Sequence, residues 1–167
     1  MVLERNMFFA KEAVAHARLA LTLGANNKWK DLLRTRGESM ICVVASRGVE
    51  IAGEAEGGIP WLRAVAAKAE HVGCGNCGEN AAIAFMYLFE RGIRPLDFMS
   101  GGDPVDHAFV LIGRPRSGAA SDPKSWGTEA VICDPWHEDG GAYLASEFLT
   151  RMYKGEQMVP ESIVRAD

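Results

Sequence analysis

One short segment of the chain combines cysteines with the signals of a helix start. The sequence GCGNCGEN at residues 73–80 runs directly into the apolar sequence AAIAFMYLF at residues 81–89. Asn76 is a favoured N-cap residue and Glu79 follows three positions later, which is an Asn variant of the capping box. The pattern predicts a helix that begins at Cys77. Unpaired N–H groups and the helix dipole favour an anion there, so the segment points to a thiolate nucleophile.

Two later residues could serve this thiol as base and orienting acid. His107 opens the apolar segment 107–112, and Asp134 closes the apolar segment 130–134, just before a proline. If these segments are antiparallel strands, the start of one lies beside the end of the other. Side-chain alternation then allows the carboxylate to face the imidazole. The sequence therefore predicts a triad of nucleophile, base and orienter, Cys77, His107 and Asp134.

The cysteines of the same segment also permit a metal site. The ligands of a Cys3His zinc site would be Cys74, Cys77, Cys133 and His137. The second pair lies far along the chain, and Cys133 should point away from Asp134 on its strand. A non-catalytic zinc-binding or adaptor module is therefore the alternative from another class of function. A redox CxxC motif is a third interpretation, although the strand expected before it is missing.

Composition limits the classes of partner. The chain has 167 residues, 48% of them hydrophobic and 24% charged, with a net charge of −4, as expected of one globular domain. It shows no basic patch, which argues against nucleic acid, and its longest apolar run is about half of a membrane span. The N-terminus lacks a signal-peptide pattern. Four cysteines are too few for a disulfide scaffold, so we expect reduced thiols in a cytosol-like compartment, with Cys42 buried and inert.

The order of predicted elements indicates an α+β fold. Helices are predicted at residues 7–23, 29–33, 60–70, 77–91 and 143–152. Strands are predicted at residues 107–112 and 130–134, and residues 40–45 fit a strand or a short buried helix. A long surface loop is predicted at residues 113–128, and the end of the chain carries little signal. We therefore expect a single domain over residues 1–167, with an N-terminal helical part at 1–58 and a core at 59–152.

Three motifs resemble the papain-like and transglutaminase-like superfamily of thiol enzymes. The sequence CGNCG at residues 74–78 resembles the papain signature C-G-x-C-[WG], whose second cysteine is the nucleophile. The sequences DHAFV at 106–110 and CDPW at 133–136 resemble the H-A-[WF]-V strand and the D-P strand end of the transglutaminase-like core. The resemblance covers about residues 71–136. It implies a Cys-bearing central helix packed on an antiparallel sheet, with the site between them.

The resemblance also implies a class of reaction and of partner. Related bacterial effectors and toxins deamidate host glutamines or cleave host proteins, and their small catalytic cores are similar to this chain. We expect a thiol amidohydrolase without a cofactor, acting as a glutamine deamidase or cysteine protease on a protein of a host or competitor cell. A transglutaminase-type acyl transferase is the alternative. An immunity or activator protein, and delivery by a specialised secretion system, are compatible with this class.

The chain departs from the papain pattern at the oxyanion site. Papain-like proteases place a glutamine six residues before the nucleophile, where this chain has His71. The backbone N–H of Cys77 can form half of an oxyanion hole. His71 is the preferred second donor, and Asn76 and Asn80 are the alternatives. Trp136 is expected either to pack, to shield the Asp–His hydrogen bond or to line the substrate groove.

Overall fold

The chain folds into an antiparallel sheet whose longer helices pack on one face. The computed structural model describes residues 1–49, 57–101, 106–138, 141–151 and 159–167. The helices in these ranges are α1 Val2–Ala20, α2 Trp29–Arg34, α3 Glu38–Arg47, α4 Gly58–Val72, α5 Cys77–Glu90 and α6 Phe148–Arg151. The strands are β1 Leu96–Gly101, β2 His107–Ile112, β3 Val131–Cys133, β4 Ala142–Leu144 and β5 Pro160–Ala166. None of the helices described here is long and apolar enough to span a membrane.

The sheet has the strand order β4-β3-β2-β1-β5, and every neighbouring pair is antiparallel. The predicted antiparallel pairing of β2 with β3 is therefore confirmed, with Val110 opposite Cys133 and Ile112 opposite Val131. This register brings the start of β2 next to the residues that follow β3. The two predicted positions of the base and the orienting acid consequently share one end of the sheet.

Helix α5 is the centre of the larger core. Most of its residues are buried, and it packs against β1 and β2 on one side and against α1 and α4 on the other. A helix that is apolar around its whole circumference must be enclosed in this way. Helix α1 contributes Ala10, Ala13 and Ala17, each 0% exposed. These small side chains let α1 approach α5 and the sheet closely.

The opposite face of the sheet carries a second, aromatic cluster. Phe109 on β2 packs with Trp126 and Phe148, and all three side chains are 0% exposed. Trp126 comes from the segment 113–128, and its indole N–H donates to the carbonyls of Ala119 and Ala120. The segment predicted as a surface loop thus covers this face of the sheet, with one short 3-10 turn.

Several elements differ from the sequence prediction. Residues 40–45 belong to α3, a helix whose apolar side chains are mostly exposed rather than buried. The predicted helix 143–152 is replaced by β4, a 3-10 turn and the short α6; Met152 lies outside the described residues. Strands β1, β4 and β5 were not predicted. β5 pairs along β1, so the sheet extends past residue 152.

The expectation of four reduced thiols is wrong. Cys42 on α3 and Cys74 in the turn before α5 form a disulfide, with Cα atoms 6.2 Å apart. Sequence spacing did not reveal this pair because the two cysteines lie 32 positions apart and meet only through the packing of α3 on α4. Cys77 and Cys133 remain free. The bond ties α3 to the turn that leads into α5.

Reduction of this disulfide should lower the stability of the protein. Closing a loop of this length restricts the unfolded chain, and the loss should be about 2–4 kcal/mol of unfolding free energy. Urea denaturation with and without dithiothreitol measures it. The double variant Cys42→Ala/Cys74→Ala should already be destabilised and should not respond to dithiothreitol. A wild-type transition that dithiothreitol leaves unchanged would contradict the bond.

Candidate active site

The start of α5 has the geometry that the sequence predicted. Asn76 is the N-cap, its backbone N–H donates to the Glu79 carboxylate at 2.8 Å, and the two residues form a capping box. A Cβ at Gly75 would lie 2.4 Å from the Cβ of Glu79, so glycine is required for this close approach. The cap fixes Cys77 as the first helical residue, half-buried at the rim of the site.

A second segment holds this turn from the side. Residues 23–26 run parallel to residues 73–76: Leu23 N–H donates to the Gly73 carbonyl at 2.8 Å, and Gly24 bridges to Cys74. Further along, Asn26 N–H donates to Asn76 Oδ1 at 3.2 Å. The N-terminal part of the chain therefore fixes the position of the helix start. The sequence analysis did not predict this contact.

His107 and Asp134 are in direct contact. His107 Nε2 lies 2.7 Å from Asp134 Oδ2, and the two side chains are 6% and 0% exposed. The other carboxylate oxygen accepts the backbone N–H of His137 at 3.2 Å. The imidazole is flanked by Phe109 and by Trp136, whose ring centroid is 5.3 Å from that of His107. Asp106, the neighbouring carboxylate, is exposed and makes no such contact.

The second nitrogen of the imidazole is available to the thiol. Burial acts to lower the pKa of His107, but hydrogen bonds to Asp134 and to Cys77 outweigh it and raise the pKa to about 9. Because Nε2 is occupied by Asp134, Nδ1 is the nitrogen left for Cys77. The Cys77 Sγ also lies 4.0 Å from the carbonyl of Asp106, the residue just before β2. An imidazolium in this position stabilises a thiolate.

The turn that follows Asp134 is held by side chains that the sequence analysis did not single out. Arg18 on α1 donates from Nε to the Pro135 carbonyl at 3.0 Å and from Nη2 to the His137 carbonyl at 2.5 Å. Lys28 donates to the Trp136 carbonyl, and its ammonium lies 4.6 Å from the centre of the Trp136 ring. No local pattern marks these two cations, because their partners are backbone carbonyls more than a hundred residues away.

Trp136 contacts both the imidazole of His107 and the N-terminal segment that carries Asn27. Its ring packs beside His107, and its indole N–H donates to Asn27 Oδ1 at 3.3 Å. It also lines a cleft of about 350 Å³ with the cations Arg18, Lys28 and Arg34. Packing, shielding and groove lining, the three roles considered for Trp136, are thus all compatible with its position.

The three candidates for the second oxyanion donor lie in different surroundings. Asn80 Nδ2 donates to the carbonyls of Gly75 and Asn76, which occupies both of its hydrogens. The Asn76 side chain accepts hydrogen bonds through Oδ1 as the helix cap. His71 is exposed in the last turn of α4, and no hydrogen bond among the described residues joins it to Cys77.

The proposed zinc ligands are not brought together. Cys74 is bonded to Cys42, and Cys133 is buried against α1 with its Sγ 3.5 Å from the Ala10 carbonyl. Burial raises the pKa of the Cys133 thiol. Within the described ranges, no cluster of three or more His, Cys, Asp or Glu side chains could hold a metal ion.

Comparison of the chain with family models, with curated proteins and with solved structures finds no match.

The charge of His107 should depend on Asp134. The pKa of the His107 imidazole is raised above the ordinary value of 6.5. The folding stability that its charged form contributes is therefore complete below about pH 6.5 and is lost as pH rises through about 9. In an NMR titration, Asp134→Asn should lower the His107 midpoint by about 1–3 pH units. Asp106→Asn, which removes the adjacent exposed carboxylate, is the matched control and should have a smaller effect. Equal effects of the two variants would contradict the assigned contact.

Proposed function

We propose that the chain is a thiol amidohydrolase of papain-like or transglutaminase-like type that acts on a protein substrate. Cys77 is the nucleophile, His107 the proton carrier and Asp134 the residue that orients the imidazole. The proposal rests above all on the 2.7 Å contact between His107 and Asp134, with Cys77 at the helix start as the other group that raises the pKa of the imidazole. A buried carboxylate–imidazole pair beside a partly accessible cysteine is the arrangement that activates thiol nucleophiles.

The first half of the reaction forms an acyl-enzyme. The Cys77 thiolate attacks the carbonyl carbon of an amide, a C–S bond forms, and the carbonyl π pair moves to the oxygen. The N–H of Cys77, unpaired at the first helical position, donates to that oxygen. The imidazolium of His107 then gives its proton to the departing nitrogen as the C–N bond breaks. A thioester and ammonia or an amine remain.

The second half returns the enzyme to its starting state. His107, now neutral, takes a proton from water as the water oxygen attacks the thioester carbonyl. The tetrahedral species collapses, the C–S bond breaks, and the Cys77 thiolate leaves beside the reformed imidazolium. Asp134 accepts from Nε2–H throughout, which keeps Nδ1 directed to the sulfur.

The nature of the amide decides the outcome. A glutamine side chain would give deamidation, a backbone amide would give peptide cleavage, and an amine in place of water would give transamidation. We favour deamidation or cleavage of a protein from a host or competitor cell, with an immunity or activator protein as a further partner. The Cys42–Cys74 disulfide fits a protein that encounters an oxidising compartment during delivery.

The reactivity of Cys77 tests the proposal without knowledge of the substrate. With limiting iodoacetamide near pH 6, Cys77 should be alkylated at least about tenfold faster than the cysteine of an unstructured peptide, because a thiolate is the reacting species. Peptide mapping should find the label on Cys77 before Cys133, which is 0% exposed. His107→Gln should remove most of this advantage. Alkylation no faster than that of the peptide would contradict an activated thiol.

Casein, as an unfolded protein substrate, tests the class of reaction. We expect wild-type protein to convert glutamine to glutamate or to cut the chain, and Cys77→Ala to do neither; mass spectrometry reads both changes. Added primary amine should be incorporated only if the transferase alternative holds. Cys133→Ala removes the other free cysteine and should retain activity. Equal activity of wild type and Cys77→Ala would refute the proposed nucleophile.

A further inference from the structure

Asn27 lies at the end of the parallel pairing that holds the nucleophile turn. The pairing keeps a constant offset of 50 residues, from Leu23 with Gly73 to Asn26 with Asn76. The next residues along the two segments are Asn27 and Cys77, the latter being the first residue of α5. Asn27 thus follows directly after the residues whose contacts fix the helix start, and its side chain is exposed.

Trp136 fixes the orientation of the Asn27 amide. An indole N–H can only donate, so the atom it meets at 3.3 Å must be the carbonyl oxygen Oδ1. The amide nitrogen Nδ2 then points away from Trp136 with both hydrogens available, and no described residue accepts from it. Since the Trp136 ring packs beside His107, the same contact positions the amide relative to the proposed base.

We propose that Asn27 Nδ2 is the second donor of the oxyanion hole, together with the backbone N–H of Cys77. This inference rests on the proposed thiol amidohydrolase function. Asn27 is a side-chain amide whose oxygen is held and whose donors are unused, whereas both donors of Asn80 are bound to backbone carbonyls. A preorganised donor of this kind stabilises charge on the carbonyl oxygen at little cost in reorganisation.

Two reactions of the same thiol separate this role from general effects on Cys77. With p-nitrophenyl acetate, the thiolate attacks the ester carbonyl, negative charge develops on its oxygen, and the C–O bond breaks to release p-nitrophenolate. With iodoacetamide, the thiolate displaces iodide from a methylene carbon, and no oxyanion forms. The ratio of the two rate constants on one variant therefore reports oxyanion stabilisation and cancels changes in the amount of thiolate.

We expect Asn27→Ala to lower the ratio of acylation to alkylation by about tenfold or more, since loss of one such donor typically costs 10²–10³-fold in rate. Asn27→Asp keeps the acceptor for Trp136 but cannot donate, so it should lower the ratio as well. Asn26→Ala, a change at the neighbouring asparagine, is the matched control and should leave the ratio within about twofold, as expected of a residue outside the oxyanion hole. Circular dichroism spectra and melting temperatures verify that each variant folds.

The outcomes separate the two proposals. If wild-type Cys77 is acylated no faster than the cysteine of an unstructured peptide, the thiol amidohydrolase proposal fails and this inference fails with it. If wild type is fast and the ratio for Asn27→Ala equals that of wild type, only the oxyanion role of Asn27 is overturned. A low ratio for Asn27→Ala with a normal ratio for Asn27→Asp would show that Asn27 only positions Trp136, and would also overturn it.

Discussion

The parallel contact between residues 23–26 and residues 73–76 is the constraint on which the site depends. A helix start stabilises an anion only where its unpaired N–H groups point. The position of the turn before α5 therefore decides whether the Cys77 thiolate is stabilised. Backbone hydrogen bonds hold this turn on one side, and the Cys42–Cys74 disulfide holds it on the other. Cys77 follows three residues after the disulfide. Its thiol is therefore fixed beside β2 before any substrate arrives.

The charges of the site are stable only as a set. Burial opposes the charged form of His107, and the hydrogen bonds to Asp134 and Cys77 exceed that cost. Asp134 is itself 0% exposed and satisfied by two hydrogen bonds, one of them from His107. In such a pair, removing one partner leaves an uncompensated buried charge, which costs more than the pair contributes when intact. The raised pKa of His107 is thus a property of the three side chains together rather than of the histidine alone.

The sequence was sufficient where the signals are local. The cap at Asn76 and Glu79 predicted the first residue of α5, and alternation along two apolar segments predicted the contact of His107 with Asp134. Strand β1 was missed because its second residue, Asp97, breaks the apolar pattern. That carboxylate is 0% exposed and bonded to Arg114 and Arg165, which arrive from distant segments. A buried charged cluster of this kind, assembled from distant segments, leaves no local signature.

The packing of α1 shows the same limit. Among its apolar residues, Phe8 and Leu19 are 59% and 78% exposed, whereas Val14 and the three alanines Ala10, Ala13 and Ala17 are buried in the core. Close approach of two helices favours small side chains, which local hydrophobicity underrates. The disulfide was missed for a related reason, since spacing alone does not determine which cysteines meet.

The N-terminal helical part belongs to the site, although all three proposed triad residues come from the later part of the chain. Arg18 and Lys28 hold the turn after Asp134 through its carbonyl groups, and Asn27 meets Trp136 within that turn. These contacts act on backbone and ring positions that the triad needs but cannot fix by itself. A boundary near residue 58 therefore does not separate the supporting residues from the residues of the site, and helices α4 and α5 lie beyond it. The thiol lies at the start of α5 and the imidazole at the start of β2. Contacts from residues 18–28 hold the turn before α5 and the turn after Asp134, and so support both groups.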